Sequence, residues 1–382
     1  MRFFRSFFVV MIVLPLLLAI KCFEDEKEKS RVLKIGLIIP KSGDLKNVGQ
    51  SVLNAAQMWL TAVNSKGGIR INNENYLIEF LVKDNKDSVD LSIKAVQSLQ
   101  LSGVKAIIGP ILSRNAVPSA KVAEALKIPL IAPWSTNPET TKDKKFVIRV
   151  AGTDDVQGEA LAQFARMELK VEKVAILYDR ESNYNQYLAE VFKKEFEQAG
   201  GYIVAFETYR TGHTDFSRQI NAIKQAKPQV ILLPNYAHEI DLQISQIRSQ
   251  ISDAVFLGSD TWYSLPADVR SRVEGSYFFS QWSPDISGKN TQHFLREFRR
   301  LYGKQPDDVA ALTFDGLGLL KQAMMKASSL DGEKVSFALR NATYDGVVGT
   351  KIYRNSGDPQ GSTIMLQIKQ GENIFYKLFQ GH

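Results

Sequence analysis

Short apolar runs alternate with longer amphipathic stretches along most of the chain, from Val32 onward. Apolar runs of this length predict buried strands, and the stretches with a helical period between them predict helices. The predicted strands are 33–39, 76–82, 106–108, 130–131, 174–178, 202–206, 230–233, 254–257 and 276–279. The predicted helices are 50–65, 88–101, 115–126, 156–168, 185–198, 216–225 and 239–249. Strands that alternate with helices imply parallel sheets covered on both faces.

The alternation falls into two blocks, residues 32–152 and 153–280. Long helical patterns follow at 291–302 and 309–326, and short strand-like runs follow at 350–353, 363–368 and 374–377. We therefore expect an α/β protein with two Rossmann-like lobes, parallel sheets flanked by helices, joined by several crossovers. Lobe I is predicted to comprise 32–152 and 281–348, and lobe II 153–280 and 349–382. A cleft between two such lobes is a natural ligand site that closes by hinge motion.

The segment 107–141 carries two candidate binding residues. It reads as strand, turn, helix, strand and turn, with Ser113 in the first turn and Thr136 in the second. Ligands of open α/β sheets bind beyond the carboxyl ends of the strands, so two hydroxyls and several backbone N–H groups there suit a carboxylate. The alternative is that both are ordinary turn residues, since serine, asparagine and proline are common in turns.

The N-terminus has the pattern of an export signal. Arg2 and Arg5 precede an apolar run from 7 to 20, which is shorter than the ~20 residues that span a bilayer. We predict a signal peptide at 1–21 and a charged, flexible tether at 22–31. The single cysteine, Cys22, follows the apolar run and resembles the lipidation cysteine of bacterial lipoproteins, although Lys21 stands where those proteins have a small residue. The alternatives are a secreted protein and an uncleaved membrane anchor.

Charge and motifs exclude several classes of function. Removing Arg2, Arg5 and Lys21 from the net charge of +7 leaves +4, spread without a basic stripe, so nucleic-acid binding has no support. No G-x-G-x-x-G follows a strand, and the chain has no P-loop, no G-x-S-x-G turn and no metal-like spacing of its 4 histidines. We therefore expect no metal, no cofactor and no catalysis.

Several segments, in the right order, carry a resemblance to a known family. They are LKIGLIIPKSGDLKNVGQSVLNAAQMWLTAVNSKGGI, FLVKDNKDS, the 107–141 segment, FVIRVAGTDDVQG, VAILYDRESNYNQYL, FLGSDTW and the late helix with Phe314 and Asp315. From Leu33 to about Gly371 the chain resembles type I periplasmic binding proteins of the branched-chain amino acid (leucine/isoleucine/valine) group. These proteins deliver solutes to ABC transporters, so the resemblance implies their two-lobed fold and a permease as partner.

The resemblance also implies roles for single residues. Ser113 and Thr136 match the hydroxyls that hold the ligand carboxylate, and Asp260 matches the acidic residue that meets the α-ammonium. The alternative for Asp260 is a helix N-cap. Tyr184 and Tyr236 match aromatic positions of the second lobe, where ordinary packing is the alternative. Two further residues of this region are Ser135, a ligand candidate in the Thr136 loop, and Asp154, a cap, hinge or contact residue.

Trp134 departs from the family, which commonly has a small residue there. The indole could reshape the pocket, stack on a flat ligand or point outward. Its presence argues against assuming leucine, isoleucine or valine as the ligand.

The sequence thus predicts an exported solute-binding protein of the periplasm or cell envelope, with Cys22 as a candidate lipid anchor to the membrane. It would capture an amino acid, or a similar small zwitterion or carboxylate, and deliver it to an ABC transporter permease. The competing hypotheses are a ligand-binding sensor that signals through a separate partner, and an enzyme that uses the cleft.

Overall fold

The structure is a computed structural model that describes residues 31–379. The predicted signal peptide, nearly all of the predicted tether, Cys22 and residues 380–382 lie outside the described residues. Within 31–379, no helix has the length and apolar character needed to cross a bilayer.

The first sheet has six strands in the order β2-β3-β1-β4-β5-β6. Its strands are β1 (Arg31–Ile39), β2 (Ile69–Ile71), β3 (Glu74–Asp84), β4 (Ala106–Ile108), β5 (Leu130–Ala132) and β6 (Val147–Arg149). All neighbours pair in parallel except β2 and β3. The helices that follow these strands are α1 (Lys46–Asn64), α2 (Val89–Leu101) and α3 (Ser113–Ala125). Residues on both faces of β1 are buried, including Leu37 and Ile38, which is why its sequence reads as a continuous apolar run.

The second sheet has seven strands in the order β15-β14-β11-β10-β9-β7-β8. Its strands are β7 (Lys173–Asp179), β8 (Tyr202–Tyr209), β9 (Val230–Leu233), β10 (Phe256–Gly258), β11 (Tyr277–Ser280), β14 (Thr363–Lys369) and β15 (Glu372–Phe379). Strands β7 to β11 pair in parallel, and β14 and β15 extend this sheet in antiparallel fashion. The helices of this half are α4 (Asp154–Gln163), α5 (Asn183–Gln198), α6 (Ser217–Ala226), α7 (Ala237–Gln250) and α8 (Ala267–Ser271).

The remaining helices return to the first half of the molecule. They are α9 (Lys289–Tyr302), α10 (Asp308–Ala327) and α11 (Gly332–Arg340), and α9 and α10 pack against α1. A hairpin of β12 (Thr343–Gly346) and β13 (Gly349–Ile352) follows them. This hairpin spans the predicted lobe boundary at 348/349. The predicted division of the chain into lobes stays a prediction.

The predicted fold class, α/β with parallel sheets flanked by helices, is confirmed. Predicted strands 33–39 and 106–108 match β1 and β4 to within two residues. The prediction omitted β2, β6, α8, α11 and β12. In β2 (IRI) and β6 (VIR) an arginine interrupts an already short apolar run, and these strands form because their neighbours supply hydrogen bonds.

A buried arginine organises the end of the first sheet. Arg149 is fully buried at the end of β6 and makes an ion pair with Asp358, with Nε and Oδ1 2.6 Å apart. Its guanidinium donates to the carbonyl oxygens of Ser135 at 2.9 Å and Asn137 at 2.8 Å, and to the Thr141 hydroxyl at 2.7 Å. The loop after β5 is therefore held by one side chain that uses several of its donors.

We predict that Arg149→Met lowers the free energy of unfolding by about 2–4 kcal/mol, because carbonyl oxygens and a carboxylate lose their charged partner. Urea denaturation followed by circular dichroism measures this. Arg300→Met is the control, since Arg300 is exposed and pairs only with Glu297 of its own helix among the described residues. This control should change stability by less than ~0.5 kcal/mol. Equal effects of the two substitutions would contradict the role given to Arg149.

Candidate functional site

The carboxyl ends of strands from both sheets meet at one small cavity. Loops after β4 and β5 supply its first wall, and the segments after β7, β9 and β10 supply the opposite wall. The cavity is narrow, with a volume of about 10 Å³ that has room for about one water molecule. Its lining residues are Leu112, Ser113, Trp134, Thr136, Tyr184, Tyr236, Asp260 and Thr261. All the predicted site residues except Ser135 therefore come together here, and Leu112 and Thr261 are additions that the sequence did not indicate.

Hydrogen-bond donors cluster on the first wall. The Ser113 Oγ atom accepts from the backbone N–H groups of Thr136 and Asn137, both at 3.3 Å. The chain reaches this point through Gly109, whose φ of +94° and 2.3 Å approach of an added Cβ to the Ile38 carbonyl leave room only for glycine. The two N–H groups thus hold the Ser113 Oγ atom, which lines this side of the cavity together with Thr136.

Ser135 lies behind this wall rather than in the cavity. Its hydroxyl is fully buried and lies 2.8 Å from the Thr140 hydroxyl and 3.0 Å from the Ser113 Oγ atom. Its carbonyl oxygen accepts from Arg149. The structure therefore places Ser135 as a support for the loop that carries Thr136.

The opposite wall carries a carboxylate. Asp260 Oδ1 accepts from the Tyr184 hydroxyl at 2.6 Å, and its backbone N–H donates to Gln157 Oε1 at 2.8 Å. Gln281 Nε2 lies 3.4 Å from Asp260 Oδ2. Burial raises the pKa of Asp260 to about 6, although the hydrogen bonds from Tyr184, Gln281 and Gln157 oppose that rise. A second charge of opposite sign would relieve the cost of this buried carboxylate.

Asp154 is a second buried carboxyl beside Asp260. It begins α4, its N–H donates to the Thr136 carbonyl at 3.0 Å, and its Oδ1 accepts from Gln157 at 3.3 Å. Its Oδ2 atom makes no hydrogen bond within residues 31–379. Burial and, next, the nearby Asp260 carboxylate raise the pKa of Asp154 well above its ordinary value, although the nearby Thr136 hydroxyl lowers the pKa of this carboxyl. Sequence reasoning had left Asp154 open between cap, hinge and contact.

An arginine of the first half reaches the aromatic rings of the opposite wall. Tyr184 and Tyr236 stack with ring centroids 5.2 Å apart, and the Arg114 guanidinium of the first half lies 4.7 Å from the Tyr236 ring. Asp87 holds Arg114 through an ion pair. The Tyr236 hydroxyl is buried and has no hydrogen-bond partner among the described residues. No sequence pattern indicated Arg114, because its partner on the opposite wall is distant in the chain.

Trp134 forms part of the cavity wall and is almost fully buried. Its indole Nε1 donates to the Asp308 Oδ2 atom at 2.9 Å. Of the three orientations that the sequence allowed, the structure shows an inward one. Asp308, at the start of α10, is a further contact that sequence reasoning missed.

The site therefore presents the hydroxyls of Ser113 and Thr136 on one wall, and the Asp260 carboxylate with the rings of Tyr184 and Tyr236 on the other. This arrangement can hold a small group of each sign at once. In the part of the chain that the structure describes, no three His, Cys, Asp or Glu side chains form a group that could hold a metal ion.

Comparison with known proteins shows the family of the chain. The model of the periplasmic binding protein family matches residues 32–373. The chain belongs to the periplasmic binding protein family. A relative from Pseudomonas aeruginosa, the leucine-, isoleucine-, valine-, threonine- and alanine-binding protein, is 26% identical and covers 89% of this chain and 91% of its own length.

Solved structures show the same fold. The leucine-binding protein of Thermotoga maritima superposes with a TM-score of 0.84 at 28% identity, over 91% of this chain and 99% of that one. A solute-binding protein of Rhodopseudomonas palustris in complex with benzoate superposes with a TM-score of 0.82 at 19% identity, over 92% of this chain and 97% of that one. This periplasmic binding protein is thus a two-lobed solute-binding protein and not an enzyme, and its family implies a periplasmic location.

The raised pKa of Asp260 implies that the free energy of unfolding depends on pH. Its pKa is about 6 in the folded protein against about 3.9 in the unfolded chain, so the folded state loses stability as pH rises between these values. Asp260→Asn removes this cost. We expect the variant to exceed the parent in unfolding free energy by up to ~3 kcal/mol above pH 6.

Chemical denaturation at pH 4 and pH 7.5 measures the effect. The difference between variant and parent should be small at pH 4 and large at pH 7.5. Asp268→Asn, at an exposed position of the same half, should show no such trend. A difference that is the same at both pH values would contradict the assignment.

Proposed function

We propose that this periplasmic binding protein captures an α-amino acid, or a similar small zwitterion, in the cavity between its lobes and delivers it to an ABC transporter permease. The observation that carries the proposal is that the Ser113 and Thr136 hydroxyls on one wall of the cavity face the Asp260 carboxylate on the other. A zwitterion presents the complementary groups at a short, constant separation.

The carboxylate of the ligand would lie against the first wall. The Ser113 and Thr136 hydroxyls line this wall, and the N–H groups of Thr136 and Asn137 donate to the Ser113 Oγ atom, which leaves the Ser113 proton to point at an anion. The Arg149 side chain keeps this loop in position from behind. The donors are neutral, which lets them bind an anion without bringing another buried charge into the cavity.

The ammonium group would lie against the second wall. Asp260 supplies the charge, and the Tyr236 hydroxyl, which lines the cavity, is a buried polar group without a partner in residues 31–379. Buried polar groups are rarely left unsatisfied in native proteins, so this hydroxyl supports a polar ligand at this point. A cation here would also lower the raised pKa values of Asp260 and of the neighbouring Asp154.

A carboxylate without an ammonium group is a second candidate ligand class. The Rhodopseudomonas palustris neighbour, in complex with benzoate, supports it at the level of the fold. The position of Asp260 favours the zwitterion, because an anionic ligand beside a buried carboxylate would leave two like charges unpaired. Delivery to a permease rests on the family alone, and a sensor that signals through a separate partner stays the alternative.

Asp260→Asn tests the zwitterion directly. The variant keeps the shape of the side chain but loses the charge that meets the ammonium, so we expect affinity for the cognate amino acid to fall at least ~30-fold. Isothermal titration calorimetry at pH 7.5 measures the loss. Because the same substitution is expected to stabilise the fold, weaker binding would not reflect unfolding.

Asp268→Asn is the matched control, since it removes an equal charge from an exposed position of the same half. It should bind like the parent. Undiminished affinity in Asp260→Asn would overturn the amino-acid proposal, and unchanged binding of a simple carboxylate in both variants would favour the second ligand class.

Lipid anchoring at Cys22 is a separate proposal, supported by the position of the cysteine directly after the apolar run. We expect mass spectrometry of the mature protein to find Cys22 as the first residue with attached acyl chains. An unmodified N-terminus at another residue would contradict it.

A further inference from the structure

A second cavity lies where the chain crosses between the two halves of the molecule. Its lining residues belong to 152–156, where the chain passes from β6 into α4, and to 351–363, where it passes from β13 to β14. This crossover cavity measures about 380 Å³, against roughly 30 Å³ for one molecule of liquid water. It shares no lining residue with the cavity that Ser113 and Asp260 line, so the two are separate sites.

A buried lysine without a partner lines the crossover cavity. Lys351 is only 3% exposed, and its Nζ atom would stand 3.1 Å from a Cβ atom placed on Gly361, another lining residue. Within residues 31–379, its ammonium group makes neither a hydrogen bond nor an ion pair. Burial lowers the pKa of Lys351 to about 8, and the Asp315 carboxylate opposes that change. A buried ammonium is costly unless a group of opposite charge meets it.

The carboxylates of this region are engaged elsewhere. Asp315 accepts from two backbone N–H groups, at 2.8 and 2.9 Å. Asp358, on the cavity wall, is paired with Arg149 at 2.6 Å. Asp155 is exposed and accepts from a tyrosine hydroxyl at 2.8 Å. The missing partner of Lys351 is therefore an anion from outside the described chain.

The first turn of α4 adds backbone donors to the same cavity. Its N-cap residue, Thr153, makes no capping hydrogen bond through its side chain. The N–H groups of Asp155 and Val156 donate to no residue that the structure describes, and both residues line the cavity. The N-terminus of a helix carries a partial positive charge and binds anions through N–H groups of this kind.

The segment after β13 supplies further donors. Arg354 is exposed at the cavity and forms no ion pair within the described part of the chain. The Ser356 Oγ atom accepts from the Asp358 N–H at 3.0 Å, so its own proton is available to a second acceptor. Ser362 adds another hydroxyl to the lining. Cationic groups, hydroxyls and N–H groups together are the donors that an oxyanion binds.

We propose that the crossover cavity binds a small inorganic oxyanion, sulfate or phosphate, with Lys351 as its buried charged partner. Such an ion is much smaller than the cavity, so ordered water bridges it to the more distant donors. The anion joins the two crossing segments that line the cavity. This site is independent of the proposed amino-acid binding.

Isothermal titration calorimetry of the full mature chain tests the site at pH 7 in a chloride buffer. Sodium sulfate and sodium phosphate are titrated separately, and the arm with the higher affinity identifies the anion. We expect the parent to show one saturable site. Lys351→Met should weaken the affinity at least ~10-fold, because it removes the buried charge that meets the anion.

Two further variants make the result specific. Arg354→Gln changes an exposed side chain and should weaken the affinity about 3-fold while the fold is kept. Lys94→Met is the matched control, because it removes a lysine charge from an exposed position of α2, and it should bind like the parent. In chloride alone, Lys351→Met should melt no lower than the parent, since methionine fills the space without a buried charge.

The outcomes decide the proposal. Saturable binding that Lys351→Met loses and Lys94→Met keeps would support the crossover cavity as an oxyanion site. The proposal would be overturned if the parent bound neither anion in a saturable way, or if Lys351→Met bound as well as the parent. Neither of these results bears on the amino-acid proposal, which calorimetry with Asp260→Asn tests separately.

Discussion

The site depends on one buried cation. The guanidinium of Arg149, at the end of β6, donates to carbonyl oxygens of the loop after β5 and to the Asp358 carboxylate. Asp358 belongs to the last crossover between the two halves. In addition, the Tyr353 hydroxyl donates to the Arg149 carbonyl at 2.6 Å. A buried guanidinium must have all its donors paired, so this residue couples the conformation of the Thr136 loop to the path of the crossover.

The cavity combines features that are unfavourable for folding but useful for binding. Asp154, Asp260 and Asp308 are all buried, and burial raises the pKa of each. The Asp154 Oδ2 atom and the Tyr236 hydroxyl lack partners within residues 31–379. A folded protein retains such groups where they serve a purpose, because each costs free energy that packing elsewhere must offset. A ligand that pairs them would recover that energy only when both walls surround it, which ties recognition to closure.

Much of the fold was predictable because its signal is local. An apolar run predicts β1, and helical periods predict the long helices. The alternation of strands and helices also predicts that Ser113, Trp134, Thr136 and Asp260 follow strands. The short strands β2 and β6 and the lining residue Thr261 were not predictable in this way. The burial of Arg149 was not predicted either, although a lone arginine within the apolar run VIRVA indicates a buried charge that has a partner.

The sequence by itself determined that this is an α/β protein with turns rich in donors after its strands, since strand and helix periods are properties of neighbouring residues. The tertiary structure alone decided which side chains meet. It turned Ser135 away from the cavity and brought Trp134 to Asp308 across 174 residues of chain. It also stacked Arg114 on Tyr236 from the opposite wall. Contacts of this kind depend on how two sheets pack against each other, and no local pattern records that packing.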